Sequence, residues 1–473
     1  MTNFKSIIFS IGANGHFYER PLGAHRISSF LREHGWDCEV VDHTQYWSLS
    51  QLISFSKSRI TKDTKFIGFS MMFINQDLFP VEYVIWLKSE YPDIKIIVGG
   101  QFIFPYSHHL IDYILYGYAE HSIFTLLKFL FSNGKPPIFT KISSNLKIID
   151  GTTEYKTHES LKDLMVKYEK RDFLTPVDML GIEFSRGCKF ACSFCNYPIL
   201  GVKSDTSRDK EDYRTQVNDA YDNFGIQRYI IIDETFNDRI EKVRKFADVT
   251  EELDFDMLFH RAFIRADLLI NRPDDRIELS RMGVNRHFYG IETFNHESGK
   301  SVGKGMHPDK IMSGLLDIKN YFYNNGTKRY LSEISLIFGL PHETKESIMQ
   351  SIHWLSENWK DQLTCSSLLL IPISEYEKRS KLTIDHEKYN YRKSNFTGDV
   401  DHITGIKNFS DLYLAWENDH MNFVEANAFS STLFSEVGYK ANYDDIPEST
   451  SLAYTPESHI EEYIYNKISW RYS

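Results

Sequence analysis

Cys188, Cys192 and Cys195 stand in a C-x3-C-x2-C spacing within the run Cys188-Lys189-Phe190-Ala191-Cys192-Ser193-Phe194-Cys195. Three thiolates on one short loop can converge on a soft metal centre. The chain has five cysteines, an odd number with three of them clustered, which is not the pattern of a disulfide framework. Cys38 and Cys365 fall on or beside predicted strands and read as small buried hydrophobes. Zinc would need a fourth ligand to close a tetrahedron, and His158 and His260 are distant in sequence. A 4Fe-4S cluster on three thiolates leaves one iron open, as a catalytic cluster requires. A zinc site completed by a remote histidine, or three unpaired structural thiols, are the blander readings.

The elements that must position this loop follow from hydrophobic rhythm. A strand is expected at Leu180 to Phe184, directly before the cysteines, and others at Tyr229 to Ile232, Leu258 to Ile264, His287 to Ile291, Ile334 to Phe338 and Ser367 to Ile371. Helical patterns separate them, so the segment 176–372 is expected to form an open or partial (β/α)6 barrel with functional groups at the carboxyl ends of its strands. Upstream, strands at Ser6 to Ser10, Cys38 to Val41, Phe66 to Met71, Ile94 to Val98 and Ile111 to Tyr116 alternate with helices at about Pro21 to Glu33, Leu49 to Lys57, Pro80 to Glu90 and His121 to Leu130. That rhythm predicts an N-terminal doubly wound parallel sheet, flavodoxin-like or Rossmann-like, over 1–135. Residues 136–175 read as a linker with a small hairpin, and 373–473 as a mainly helical region packed over the barrel. The fold class is therefore α/β.

The chain has 473 residues, with 42% hydrophobic and 15% aromatic content, enough for two or three cores and too apolar for a disordered chain. Lys and Arg number 54 against 65 Asp and Glu, a formal charge of −11 with the signs interspersed, which argues against bulk nucleic-acid binding. No run approaches the roughly 18 to 20 apolar residues of a membrane helix, and no signal peptide is visible, so a cytoplasmic location is expected.

The cysteine triplet, its place after a barrel strand and the aromatic Phe194 before the third cysteine resemble the radical S-adenosylmethionine (SAM) superfamily. The resemblance extends over roughly 178–372. It implies that Cys188, Cys192 and Cys195 hold a 4Fe-4S cluster whose open iron binds SAM, and that an electron from the cluster yields a 5′-deoxyadenosyl radical. In Ile232-Asp233-Glu234-Thr235-Phe236-Asn237, where many relatives carry Gly-Gly-Glu, it implies Asp233 or Glu234 as partner of the SAM amine. Read alone, each of these carboxylates is equally an N-cap. Arg265 resembles the arginine facing the SAM carboxylate, and Gly290-Ile291-Glu292-Thr293 the segment near the ribose, with Glu292 at its end. Gly339-Leu340-Pro341-His342-Glu343-Thr344 resembles the segment after the fifth strand, with Ile337 packing on adenine and Gly339 at the turn.

The N-terminal half resembles the cobalamin-binding domain that precedes the barrel in one branch of that superfamily. The likeness is carried by Pro21-Leu22-Gly23, Gly35 to Asp42, Ile67 to Ser70, Val98-Gly99-Gly100-Gln101, Asp112 and Gly117-Tyr118-Ala119-Glu120. It implies that Ser70, Gly99, Gly100, Gln101 and Glu120 face cobalamin, with the glycines letting its tail approach the backbone. The Asp-x-His-x-x-Gly segment that would supply a histidine to cobalt is absent, and His16 reads as a polar loop residue. The expected function is methylation of an unactivated carbon of a small-molecule or peptide substrate, with electrons from a donor such as a flavodoxin or ferredoxin. A radical SAM enzyme without cobalamin, and a non-catalytic iron-sulfur protein, are the alternatives.

Overall fold

The computed structural model describes residues 4–12, 15–71, 78–100, 108–141, 146–158, 161–162, 164–324, 330–359, 362–370, 380–399, 401–402, 413–437 and 456–470. The strands of its two seven-stranded sheets are β1 (Lys5–Ile11), β2 (Glu19–Arg20), β3 (Asp37–Val41), β4 (Thr64–Met71), β5 (Lys95–Gly100), β6 (Tyr113–Tyr116), β7 (Thr140–Lys141), β8 (Lys147–Asp150), β9 (Met179–Ile182), β10 (Arg228–Ile231), β11 (Leu258–Ile264), β12 (Arg286–Glu292), β13 (Leu331–Phe338) and β14 (Gln362–Ser367).

The N-terminal sheet runs β3-β1-β4-β5-β6-β8-β7, parallel except for the β7–β8 hairpin. Its strands are apolar on both faces because helices cover both. Ile7, Phe9, Ile67 and Phe69 pack to one side, and Ile8, Cys38, Val40 and Phe66 to the other. The helices between begin and end on local signals. Ser48 closes a capping box with Gln51 at the start of Leu49–Arg59, and Gly35 takes φ 82° just past Leu22–Glu33.

Part of the segment expected to be a linker is sheet. The apolar pair Ile148 and Ile149 is buried, and β8 lies parallel to β6, so the first sheet has seven strands rather than five. The barrel sheet runs β14-β13-β12-β11-β10-β9-β2, all parallel. Its seventh strand is also a correction: Glu19–Arg20, from the N-terminal half, adds to the edge at β9. The strand placed at 367–371 is instead Gln362–Ser367, and the apolar run that suggested it lies past the strand, where Leu368 and Leu370 are buried and Leu370 bridges to Leu414.

The C-terminal region divides. Helix Phe423–Val437 packs on the barrel, burying Phe423, Ala426 and Leu433 in its core. Helix Pro456–Ser469 departs from the expectation by returning to the N-terminal sheet, where Ile460, Tyr463 and Ile464 join the core. Among the described residues no helix is long and apolar enough to cross a membrane.

A buried cation joins these three parts. Arg20, fully enclosed, donates from Nε and Nη2 to Asp178 at 2.8 and 3.1 Å and from Nη1 to Asp42 at 3.1 Å, and it stacks 4.4 Å over Tyr463. Burial alone would raise both carboxyls; the charges of His25 and Arg20 at Asp42, and of Arg20 and His459 at Asp178, hold them well below the usual range. That stability is present above the ordinary carboxylate range and is lost as pH falls through the depressed values. Arg20→Met leaves two buried carboxylates without their cation and is expected to lower unfolding stability by about 3–5 kcal/mol. Urea unfolding followed by tryptophan fluorescence checks this, and a change within error would show that the cation is dispensable.

Candidate functional site

The cysteine loop leaves β9 through Glu183, Phe184, Ser185 and Arg186. Backbone bonds between Arg186 and Asp205, in both directions, close the base of this loop. Gly187 turns it with φ 73°, where a side chain would strike the Val202 carbonyl, so glycine is required just before the first cysteine. The far side is held by Ser193 N donating to Val302 O at 3.2 Å and Leu382 N donating to Ser193 O at 2.7 Å.

The three thiols border different groups. Cys188 Sγ is 3.5 Å from Thr235 Oγ1, and Cys192 Sγ is 3.8 Å from Arg265 Nη1. Cys195 is pushed up to about 12 by burial first, then by its neighbouring cysteines and Glu292, so it would bind a metal only with its proton displaced. The one trio of candidate ligands among the described residues whose atoms all lie within 4.8 Å of one another is His43, Asp178 and His459; the three cysteines are spaced more widely. A single zinc, at about 2.3 Å from each sulfur, brings its ligands to roughly 3.8 Å separation.

Two adjacent carboxylates at the end of β10 have different surroundings. Asp233 accepts from Phe184 N at 2.7 Å, Ser185 Oγ at 2.5 Å and Lys242 Nζ at 3.0 Å, and is fully buried. Its oxygens therefore hold the loop base, which leaves it unsuited as the amine partner. Glu234 accepts from Tyr118 Oη at 2.6 Å through Oε1, while Oε2 is enclosed with no hydrogen bond. Burial, only partly offset by Tyr118, pushes Glu234 up to about 7. An enclosed carboxylate oxygen without a donor is fitted to receive an ammonium group.

Arg265 donates from Nε and Nη2 to Asp267 at 2.9 and 2.7 Å and stacks 3.9 Å over Phe190 of the cysteine loop, which leaves Nη1 facing the thiols. Glu292 ends β12 at φ 68°, with Lys304 3.6 Å from Oε1; burial raises its carboxyl, and Lys304 and Arg265 only partly offset this. Gly339 ends β13 under the Trp416 indole, and its carbonyl accepts from Tyr391 Oη at 2.6 Å. Glu343 accepts from Gly339 N and Leu340 N at 2.8 and 3.1 Å and from Thr293 Oγ1 at 2.6 Å, linking the ends of β12 and β13. Phe194 and Ile337 are partly buried against the barrel core.

The N-terminal candidates fare unevenly. A Cβ added at Gly99 meets nothing closer than the Leu115 carbonyl at 3.9 Å, so that strand end has room. At Gly100 an added Cβ falls 2.5 Å from the Met71 carbonyl, so its glycine is explained by the sheet itself. Ser70 Oγ is 3.4 Å from where a Cβ on Gly23 would stand, and neighbouring Ser10 Oγ is enclosed with no hydrogen bond. His16 pairs with Glu19 at 2.7 Å. Glu120 is a correction: both its oxygens are taken by Arg186, at 2.5 and 3.1 Å, so it faces the barrel and not an open groove. Gln101 lies outside the described residues.

Sequence reasoning missed the groups that join the two halves. Tyr118, after β6, donates to Glu234 and accepts from Gly187 N at 3.1 Å. Arg186 is buried between Glu120 and Glu183 and lies over the rings of Tyr118 and Tyr155 at 4.6 and 4.9 Å. An arginine two residues before the first of the clustered cysteines was the available signal. The result is that the carboxyl ends of both sheets face one another across the cysteine loop.

Comparison with known proteins agrees with this geometry. The anaerobic magnesium-protoporphyrin IX monomethyl ester cyclase of Synechocystis is 22% identical over 245 residues, which is 47% of this chain and 46% of the cyclase. The hopanoid C-3 methylase of Methylococcus capsulatus is 26% identical over 209 residues, 41% of this chain and 40% of the methylase. This chain thus matches less than half the length of these relatives. The solved structure of the radical SAM methyltransferase TsrM from Kitasatospora setae, with cobalamin and a [4Fe-4S] cluster bound, shares the fold with a TM-score of 0.68 at 13% identity, covering 98% of this chain and 99% of that one. The family model of the radical SAM superfamily matches residues 182–355, from the end of β9 through the helix after β13, and this part of the chain is a radical SAM domain.

Proposed function

We propose that this chain is a cobalamin-dependent radical SAM enzyme that methylates an unactivated carbon of a small-molecule or peptide substrate, drawing electrons from a flavodoxin or ferredoxin. The observation that carries the reading is the apposition of the two sheets' carboxyl ends through Tyr118, Glu234 and Gly187, which would let a ligand of the first sheet face a cluster on the cysteine loop. A 4Fe-4S cluster and SAM would supply the 5′-deoxyadenosyl radical, and methylcobalamin the methyl group. Cys188, Cys192 and Cys195 would hold three irons. Glu234 Oε2 would accept from the SAM ammonium, and Arg265 Nη1, beside Cys192 Sγ, would face its carboxylate. Asp267 fixes the Arg265 fork, and Phe190 covers it from solvent. Glu292, Ile337 and Gly339 would border the nucleoside. The room at Gly99 and the enclosed Ser10 hydroxyl fit a cobalamin tail at the first sheet.

A second reading, a radical SAM enzyme whose N-terminal domain holds no cobalamin, is favoured by Glu120 and Gly100 being engaged within the protein. Anaerobic reconstitution with iron, sulfide and hydroxocobalamin separates the two. About four irons, one cobalamin and release of 5′-deoxyadenosine are expected; iron and the nucleoside without cobalamin would favour the second reading. Changing Cys188, Cys192 and Cys195 together to Ala should abolish cluster absorbance and SAM cleavage, and surviving cleavage would end both readings.

The Glu234 value near 7 gives a pH test. Only the ionised carboxylate pairs with an ammonium, and its fraction climbs from about a tenth at pH 6 to about nine tenths at pH 8. SAM affinity of the cluster-loaded protein, read by equilibrium dialysis, should rise several-fold across that interval. In Glu234→Gln the profile should lose that step and affinity at pH 8 should drop by at least about tenfold; an unchanged profile would remove Glu234 as the amine partner.

A further inference from the structure

Three parts of the chain that are remote in sequence each bring one side chain able to ligate a metal to a single buried point. His43 stands two residues past β3, Asp178 directly before β9, and His459 near the start of the helix Pro456–Ser469. A ring nitrogen of His43, a ring nitrogen of His459 and a carboxylate oxygen of Asp178 all lie within 4.8 Å of one another. A point between them is therefore no more than about 2.8 Å from each. Zinc takes imidazole nitrogen at about 2.0–2.1 Å and carboxylate oxygen at about 2.0–2.2 Å, so small side-chain shifts complete the contact. One side of the triangle already has that spacing. His459 Nε2 is 3.1 Å from Asp178 Oδ1, where two ligands of one such ion stand roughly 3.0–3.4 Å apart.

The His43 imidazole is buried, and its Nε2 is enclosed with no hydrogen bond. Buried polar atoms are normally partnered, so this nitrogen needs a reason. Burial first, and then the charge of Arg20, push His43 down to about 3, so its ring is neutral and offers a lone pair instead of a proton. Asp178 is held in its ionised form by Arg20 and His459. A carboxylate oxygen has two lone pairs, and at Oδ1 Arg20 Nε takes one at 2.8 Å while His459 takes the other. An ion that enters on the His459 side thus leaves the Arg20 bond in place. Arg20 is a cation beside this point and is opposed by two carboxylates, Asp178 and Asp42, both wholly enclosed. With neutral imidazoles those three charges leave one negative. Two nitrogens among three ligands select a transition-metal cation over calcium or magnesium, which take oxygen.

We propose that His43, Asp178 and His459 form a binding site for a divalent transition-metal cation of the zinc class, with water completing its coordination. The ion ties the end of β3, the approach to β9 and the last helix to one another. The site shares no residue with the cysteine loop, and it stands whether or not the N-terminal domain carries cobalamin.

The test uses the full-length chain with its cluster assembled, and zinc as the probe. After dialysis against zinc and removal of the excess, metal analysis should find one zinc per chain, and the loaded protein should melt at a higher temperature than the zinc-free protein. X-ray absorption at the zinc edge should show nitrogen and oxygen neighbours only; a sulfur shell would put the zinc on the cysteines and overturn the site. His43→Asn removes the imidazole but keeps a residue that accepts the left-handed φ of 58°. It should weaken zinc binding by at least about tenfold and lose the zinc-dependent rise in melting temperature, with cluster absorbance unchanged. Should this variant lose its cluster through misfolding, His459→Gln, which keeps a donor for Asp178, replaces it. No zinc in the wild-type protein, or equal affinity in the variant, would overturn the site.

Discussion

The guanidinium of Arg186 is buried between Glu120 of the N-terminal half and Glu183 of the barrel, and its position two residues before Cys188 makes the cysteine loop dependent on that pairing. A charge taken out of water is tolerated only with partners that reach it, and removing one partner of such a set destabilises by about 3–5 kcal/mol. Glu120 opens the helix after β6, so the helix start, the loop carrying Tyr118 and the base of the cysteine loop are tied together. Arg26 pairs with Glu183 at 2.9 Å and extends the set back into the first helix. The conformation of the cysteine loop is thus not a property of the barrel alone. Its loop is shaped by groups from the other sheet.

What could be read from sequence was local. Each expected barrel strand but the last, the five strands expected in the first sheet and the four helices that follow them carry short-range apolar periodicity that survives in the structure with shifts of a few residues. The cysteine spacing is local as well. The pieces that escaped are those decided by partners far away in the chain. Glu19–Arg20 is too short to show a period, and becomes a strand only because β9 offers it an edge. Arg20 looks like any surface arginine until Asp42, Asp178 and Tyr463 converge on it, and nothing near residue 456 announces that the last helix crosses back to the first sheet. Ion pairs between residues 20 and 178, 26 and 183, or 120 and 186 leave no mark on either local segment.

The barrel also separates its tasks by position along the strands. Carboxyl ends carry the cysteine loop, Glu234, Arg265, Glu292 and Gly339, where loops turn freely. The N-terminal halves of the same strands carry Arg286, Glu333, His260 and Arg261, polar groups that border a solvent-open cleft. Ala262, Tyr289 and Ile334 of the same strands are fully buried in the barrel's hydrophobic core.

The adjacent pair Asp233 and Glu234 shows how one peptide step separates two electrostatic environments. Both lie just past β10, and their side chains meet different partners. Asp233 turns toward the loop base, where a backbone N–H, a hydroxyl and Lys242 meet it, and those bonds fix Ser185 and Phe184 before the cysteines. Glu234 turns toward the first sheet, where Tyr118 engages one oxygen and the other is left enclosed. A carboxylate that has all its donors is a brace, whereas one that lacks a donor in a buried place is destabilised in its charged form until a cation arrives. The same side-chain chemistry therefore meets two environments, and the difference comes from which neighbours each faces.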